Sequence, residues 1–213
     1  MAHALELIGD RWALFVVREL MLGPRRFSDL RADLPGLSAN VLTQRLQELE
    51  VSGIVERTKL PPPASVQVYG LTEWGYEAEP IIQELGRWAC RSIGHDPTLP
   101  VSGVSILLSF RTMIDRSRIG DLDLSIGFRF GEDAYLGHVG PEGFTVARGD
   151  AVAGDILFAG HPSALAGFIY GGVPLEAFAQ AGALRLSGDP ALAARFADLF
   201  VLPPKFMPPG AGA

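Results

Sequence analysis

The feature that most constrains the fold is a pair of helical segments separated by a tight turn. Residues 27–34 form a short apolar-faced helix, and Pro35-Gly36 ends it. Ser38 then stands where a helix N-cap is expected. The next segment carries an apolar stripe at helical spacing as far as about Gly53, formed by Leu42, Leu46 and Leu49. A short helix, a turn and a longer helix indicate a helix-turn-helix.

The segments on either side extend this motif. Residues 4–22 have apolar side chains at spacings of three and four, which predicts one amphipathic helix. After the motif, residues 54–60 and 66–71 are typical of two strands, joined by a connection too rich in proline to pair. From Thr72, a last long helix is predicted to run to about residue 93. We therefore expect a winged helix-turn-helix domain over residues 1–95.

The second half changes character. Residues 122–130 alternate apolar and polar side chains, the strongest strand pattern in the chain. Turn clusters separate further short segments, which we interpret as strands at 135–139, 144–148, 155–159 and 183–186. Helices are expected at 161–170, 174–181 and 189–202. The fold class is thus α+β with an antiparallel sheet over residues 100–203, and residues 204–213 are expected to be a flexible tail.

Composition and missing motifs narrow the function. Eighteen Lys and Arg face 24 Asp and Glu, giving a net charge of −6, so any DNA contact must come from a local patch. The chain has no H-x-x-x-H pair, G-x-S-x-G elbow, dinucleotide fingerprint or Walker sequence. We expect no enzyme, cofactor or metal, although a hydrolase built on the second half stays a disfavoured alternative. No membrane span or secretory signal is evident, which favours the cytoplasm.

Local charges point to phosphates. A winged helix-turn-helix contacts the DNA backbone before its second helix, along its third helix and on its wing. Basic side chains stand at each of these places, namely Arg25, Arg26, Arg45, Arg57 and Lys59.

The third helix carries side chains of the types that read bases. Its residues off the apolar stripe include Asn40, Thr43 and Gln44, with Ser38 at its start. Asn, Gln and Arg form hydrogen bonds with base edges in the major groove. The alternative is that this polar face is merely solvated.

Several segments of the first half occur together in a characteristic order. They include Leu7-Ile8-Gly9-Asp10-Arg11-Trp12, Gly23-Pro24-Arg25-Arg26-Phe27-Ser28-Asp29-Leu30, Leu42-Thr43-Gln44-Arg45-Leu46 and Tyr69-Gly70-Leu71-Thr72. In this order they are similar to the HxlR family of winged-helix transcription regulators, over residues 4–90. The resemblance implies a homodimer paired through the first and last helices of this half. It also implies that residues 38–50 form the recognition helix on double-stranded DNA.

One part of the family pattern is missing. Members usually begin with an arm that carries a cysteine-proline step, and in some the cysteine senses oxidants. This chain starts at Met1-Ala2-His3, so the arm is either absent or truncated. Thiol sensing therefore does not transfer to Cys90, which we expect to be a small packed side chain.

The second half resembles the sterol-carrier-protein-like fold. The similarity comes from the 124–130 strand, the strand and helix over 155–169, and Leu184-Arg185-Leu186-Ser187-Gly188-Asp189 before a closing helix. It implies a cavity for an apolar small-molecule ligand. The residues that would line this cavity are Phe128, Phe130, Phe168, Phe178, Phe196 and Phe200. Core packing is the alternative for each of these rings. A rival function is a lipid or acyl-ligand carrier whose first half serves for dimerisation.

Overall fold

The computed structural model describes residues 1–63 and 65–207, and the chain divides into two compact units, Met1–Ile82 and Gln83–Ala213. Helices and a sheet are both present, which confirms a mixed fold with a helix-turn-helix at its start. Within the described residues, no helix is long and apolar enough to cross a bilayer.

The first unit begins with two helices where one was predicted. Helix α1 spans Ala2–Ile8 and α2 spans Arg11–Leu20. The single helix expected over 4–22 is wrong because Asp10 adopts an extended conformation. Its carboxylate accepts hydrogen bonds from the backbone N–H groups of Trp12 and Ala13, at 2.9 and 3.2 Å. Asp10 thus caps a new helix start instead of continuing the first.

The helix-turn-helix is confirmed close to its predicted bounds. Helix α3 spans Phe27–Asp33, and α4 spans Ala39–Val51. The hydroxyl of Ser38 accepts a hydrogen bond from the N–H of Val41 at 3.3 Å, so the N-cap forms as expected. The stripe predicted for α4 lies in the core, where Leu42, Leu46 and Leu49 are buried.

The wing is also confirmed. Strand β1, Val55–Lys59, pairs antiparallel with β2, Gln67–Leu71. The backbone of Arg25 joins this sheet, because its N–H and carbonyl exchange 2.8 Å hydrogen bonds with Tyr69. The predicted connection includes Ala64, which lies outside the described residues.

The last helix of this half was predicted to be continuous, and that is wrong. Helix α5 covers Glu73–Tyr76, and α6 covers Glu79–Ala89. Pro80 has no N–H to donate to the carbonyl of Tyr76, so the helical ladder is interrupted between them. Thr72 caps α5 by accepting from the N–H of Gly75 at 3.0 Å. A Cβ at Gly75 would lie 2.2 Å from the carbonyl oxygen of Ile54, which requires glycine there.

The second unit is built around a helix that the sequence patterns missed. Helix α7, Gly103–Met113, is followed by strands β3 at Leu124–Phe130, β4 at Asp133–Gly140 and β5 at Gly143–Arg148. The remaining elements are β6 at Ile156–Gly160, α8 at Pro162–Gly171, α9 at Leu175–Gln180, β7 at Leu184–Ser187 and α10 at Pro190–Ala197.

The sheet is mixed, not antiparallel throughout. Its strand order is β5-β4-β3-β6-β7, and β3 runs parallel to β6 while the other neighbours are antiparallel. The connection between β5 and β6 carries the chain to the other side of β3, so β6 enters in the same direction as β3. The expectation of an antiparallel sheet is therefore wrong at this pair.

The closing helix is shorter than predicted. It ends at Ala197 instead of residue 202 because the following backbone pairs with the segment after α7. The N–H of Asp115 donates to the carbonyl of Leu199 at 2.7 Å, and the N–H of Val201 donates to that of Met113 at 3.2 Å. Those carbonyl and amide groups are thereby satisfied outside a helix.

Candidate nucleic-acid interface

Helix α4 presents one polar face to solvent. The residues that share this face are spaced by three, four and seven positions, and all four are exposed: Asn40, Thr43, Gln44 and Gln47. The buried leucine stripe lies on the opposite side of the helix. The helix is therefore held by its apolar side while its polar side is available to a groove. The sequence also predicts Gln47 on this polar face, although Gln47 is not among the predicted contacts.

Local hydrogen bonds organise part of this face. The hydroxyl of Thr43 donates to the carbonyl of Ala39 at 2.9 Å, and the amide of Gln44 donates to Glu48 at 2.9 Å. The hydroxyl of Ser38 serves as the helix cap. Ser38 therefore stabilises the start of α4. The side chain of Asn40 is exposed in the first turn of this helix.

Arg45 lies at the junction of α4 with the start of α2. Its side chain is 22% exposed, Nη1 lies 2.6 Å from a carboxylate oxygen of Glu48, and Nε lies 3.9 Å from Asp10. Asp10 is the residue that caps α2. The contact with Asp10 connects α4 to the start of α2.

Arg25 is buried between α3 and the wing. Its guanidinium forms an ion pair with Asp33 at the end of α3, and its backbone pairs with Tyr69 of β2. Arg25 therefore links α3 to the wing, through its side chain on α3 and through its backbone on β2.

Three predicted phosphate contacts are exposed. Arg26 precedes α3, and Arg57 and Lys59 lie on β1. Arg57 lies 3.4 Å from Glu50, in the last turn of α4, which orients it between the helix and the wing. An exposed ion pair of this kind contributes little to stability, so its cation can exchange partners at small cost.

Helices α1 and α6 bury no residue in the single chain. The apolar side chains that these helices leave exposed are Leu5, Ile81, Leu85 and Trp88. A helix with apolar positions on one face and no partner for that face indicates an interaction surface.

The predicted ligand-lining rings lie in or around the core of the second unit. Phe128, Phe196 and Phe200 are buried, and the ring of Phe196 lies 4.8 Å from that of Phe200. Phe168 contacts Phe158 at 5.9 Å, while Phe130 and Phe178 are half-buried. Centroid distances of this size are typical of packed aromatic pairs.

The second unit also contains a partly buried hydroxyl pair that the sequence did not reveal. The hydroxyl of Tyr170 lies 2.7 Å from that of Ser109 on α7. Burial raises the pKa of the Tyr170 hydroxyl above its ordinary value. Among the described residues, no group of three or more His, Cys, Asp or Glu could hold a metal ion.

The first part of the chain matches known regulators. The sequence profile of the family described as HxlR-like helix-turn-helix matches residues 7–97. The HTH-type transcriptional regulator YvaP of Bacillus subtilis, itself uncharacterized, is 39% identical over 95 residues, covering 45% of this chain and 86% of YvaP. The chain belongs to the HxlR-like helix-turn-helix family.

A second relative is also a transcriptional regulator. YodB, an HTH-type transcriptional regulator of Bacillus subtilis, is 39% identical over 89 residues, which are 42% of this chain and 80% of YodB. The solved structure of reduced YodB is 37% identical, covers 45% of this chain and 95% of YodB, and has a TM-score of 0.41. The HxlR-like match ends at residue 97, so the sterol-carrier-like interpretation of the second half stays a prediction.

Proposed function

We propose that this chain is a sequence-specific transcription regulator that binds double-stranded DNA as a homodimer. The observation that carries the proposal is the exposed polar face of α4, on a helix capped by Ser38, in a chain that belongs to the HxlR-like family. Such a role places the protein in the cytoplasm of a bacterium, with its DNA.

In this proposal the exposed face of α4 reads bases. Asn40 and Gln44 have amide groups that can form paired hydrogen bonds with adenine in the major groove. Thr43 lies between them on the same face and can contact a thymine methyl group or a backbone oxygen.

The exposed cations position the helix. Arg26 before α3, and Arg57 and Lys59 on the wing, would bind phosphates on either side of the groove. Arg25 and Arg45 are less suited to direct contact because their guanidinium groups are paired with Asp33, and with Glu48 and Asp10. We assign them the role of holding the wing and α4 in place.

Dimerisation through α1 and α6 would cover their exposed apolar side chains. A two-fold axis makes each copy bury the same residues against its partner. Two recognition helices would then reach half-sites about 34 Å apart.

A titration of duplex DNA tests the DNA-binding role. We expect the logarithm of the binding constant to fall linearly with the logarithm of salt concentration, because phosphate contacts release counterions. The Arg57→Gln, Lys59→Gln variant should reduce the slope by about 2 and weaken binding to all sequences. Fluorescence anisotropy over a salt series measures both quantities.

The matched control removes two exposed arginines of the second unit, Arg129→Gln and Arg185→Gln. It changes the net charge equally and should leave the slope unaltered. Absence of binding by the unmodified chain at low salt would contradict the proposed function. Equal slopes for the wing variant and the unmodified chain would contradict the wing contacts.

A second candidate role concerns the rings of the second unit, which is rich in buried phenylalanine. If Phe128, Phe168 and Phe196 line a ligand site, an apolar fatty-acyl compound should remain bound to the full chain in native mass spectrometry. Such a ligand would regulate DNA binding only if it bound more tightly to one arrangement of the dimer, competent or incompetent for DNA, than to the other. Failure of fatty acids of several lengths to bind would leave these rings a purely structural role and would also remove the basis for a lipid-carrier function.

A further inference from the structure

The turn that follows α6 is bound by a segment 115 residues further along the chain. The ammonium of Lys205 donates to the carbonyls of Cys90 and Ser92 at 2.9 and 3.1 Å. The N–H of Phe206 donates to the carbonyl of Arg91 at 2.7 Å. Carbonyls at a helix end have no partner within the helix, and a cation there also interacts favourably with the helix dipole. The carbonyls of Gly86, Trp88 and Ala89 accept from the N–H groups of residues 90–92. Lys205 and Phe206 therefore bind the turn that residues 90–92 form directly after α6.

Two arginines of this region also donate to carbonyls of residues further along the chain. Arg87 donates to the carbonyl of Thr112 in α7, and Thr112 is buried. Arg91 donates from Nε to the carbonyl of Pro204 at 3.4 Å. Donors from both the helix and the later segment thus fix the end of α6.

Apolar side chains at this end are exposed. Trp88 in the last turn of α6 is 73% exposed, Ile93 after it is 70% exposed, and Phe206 is 56% exposed. We call these three residues the end surface. Within α6, Trp88 lies on the same helix face as Ile81 and Leu85, because the three positions are spaced by four and seven residues. Ile81 and Leu85 are also exposed. An exposed apolar face along one helix indicates a partner.

We propose that residues 203–207 act as a clamp on the end of α6, and that the end surface is the outer part of the contact with a second copy of this chain. The inference rests on the proposed homodimer through α6. A second copy is the occupant because the end surface continues the α6 face that the proposed two-fold contact buries. The clamp keeps Trp88 in a formed helical turn and places Phe206 beside that turn.

Sedimentation equilibrium on the full chain tests this inference. Lys205→Met removes the capping cation, and we expect the dimer to dissociate about tenfold more readily. Phe206→Ser removes an apolar contact and should also weaken the dimer about tenfold. The matched controls are Arg185→Met and Val152→Ser, an exposed cation and an exposed apolar residue elsewhere in the second unit, and they should have no effect.

Hydrogen exchange and one further variant distinguish a failure of the clamp from a failure of the proposed homodimer. In Lys205→Met, the amides of residues 89–92 should exchange faster, because the turn they form loses its cap. Leu85→Ser, in the middle of α6, should abolish the dimer. If Leu85→Ser does so while Lys205→Met and Phe206→Ser do not weaken it, the clamp and end surface are wrong and the dimer stands. If the unmodified chain is a monomer at micromolar concentration, the proposed homodimer itself is wrong.

Discussion

The double variant Asn40→Ala, Gln44→Ala is expected to lose most of the preference of this protein for its operator. Each well-formed pair of hydrogen bonds to a base contributes about 1–3 kcal/mol of discrimination, so the two together should cost about 2–6 kcal/mol. Binding to unrelated duplex DNA should change little, because the variant leaves the proposed phosphate contacts of Arg26, Arg57 and Lys59 unaltered. Competition titrations of operator against unrelated DNA measure this ratio.

The variant should fold normally. Both positions are exposed on α4, and alanine favours helix, so the fold loses only the contact between Gln44 and Glu48. Gln180→Ala, on an exposed position of α9, is a matched control for removing a polar side chain from a helix. An unchanged ratio of operator to unrelated binding would show that α4 does not read the sequence.

The variant Phe196→Ala should destabilise the second unit by about 3–5 kcal/mol, as expected for a large ring removed from a packed core. Phe196 is fully buried, and its ring lies 5.6 Å from Phe110, 6.1 Å from Phe128 and 4.8 Å from Phe200. Neighbouring rings cannot all move to fill the space that it leaves. Denaturant unfolding followed by circular dichroism measures the loss.

An exposed residue provides the comparison. Leu99→Ala removes apolar atoms at a position that is mostly solvated, and it should change the free energy of unfolding by less than about 0.5 kcal/mol. A loss below about 1 kcal/mol for Phe196→Ala would contradict close packing around this ring and would favour a cavity there.

The helix-turn-helix and the wing could be predicted because their signals are local. Ser38 at a cap position, a leucine stripe on α4 and a proline-rich connection between two short strands each act within a few residues. The observed elements, Phe27–Asp33, Ala39–Val51, Val55–Lys59 and Gln67–Leu71, agree with those signals.

Helix α7 could not be recognised in the same way. Seven of its residues are buried, including Val104, Leu107 and Phe110, so the helix has no regular polar face from which a period could be found. The parallel pairing of β3 with β6 was also inaccessible, because strand direction depends on where the intervening chain crosses the sheet.

The arrangement of the candidate site could be predicted from the sequence only in part. Spacing correctly brings Asn40, Thr43 and Gln44 onto one exposed face. The surroundings of Arg25 and Arg45 depend on carboxylates eight and 35 positions away in sequence, at Asp33 and Asp10. A basic residue near the expected phosphate path therefore does not by itself reveal where its side chain lies.

The most direct test of the central claim, that the exposed face of α4 reads DNA sequence in a two-fold dimer, is selection from a random-sequence duplex library. The unmodified chain and the Asn40→Ala, Gln44→Ala variant are used in parallel, and the retained DNA is sequenced. We expect the unmodified chain to enrich an inverted repeat with half-site centres about 10 base pairs apart, and the variant to enrich no such repeat. Recovery of unselected sequences by the unmodified chain, or of the same repeat by both proteins, would contradict the claim.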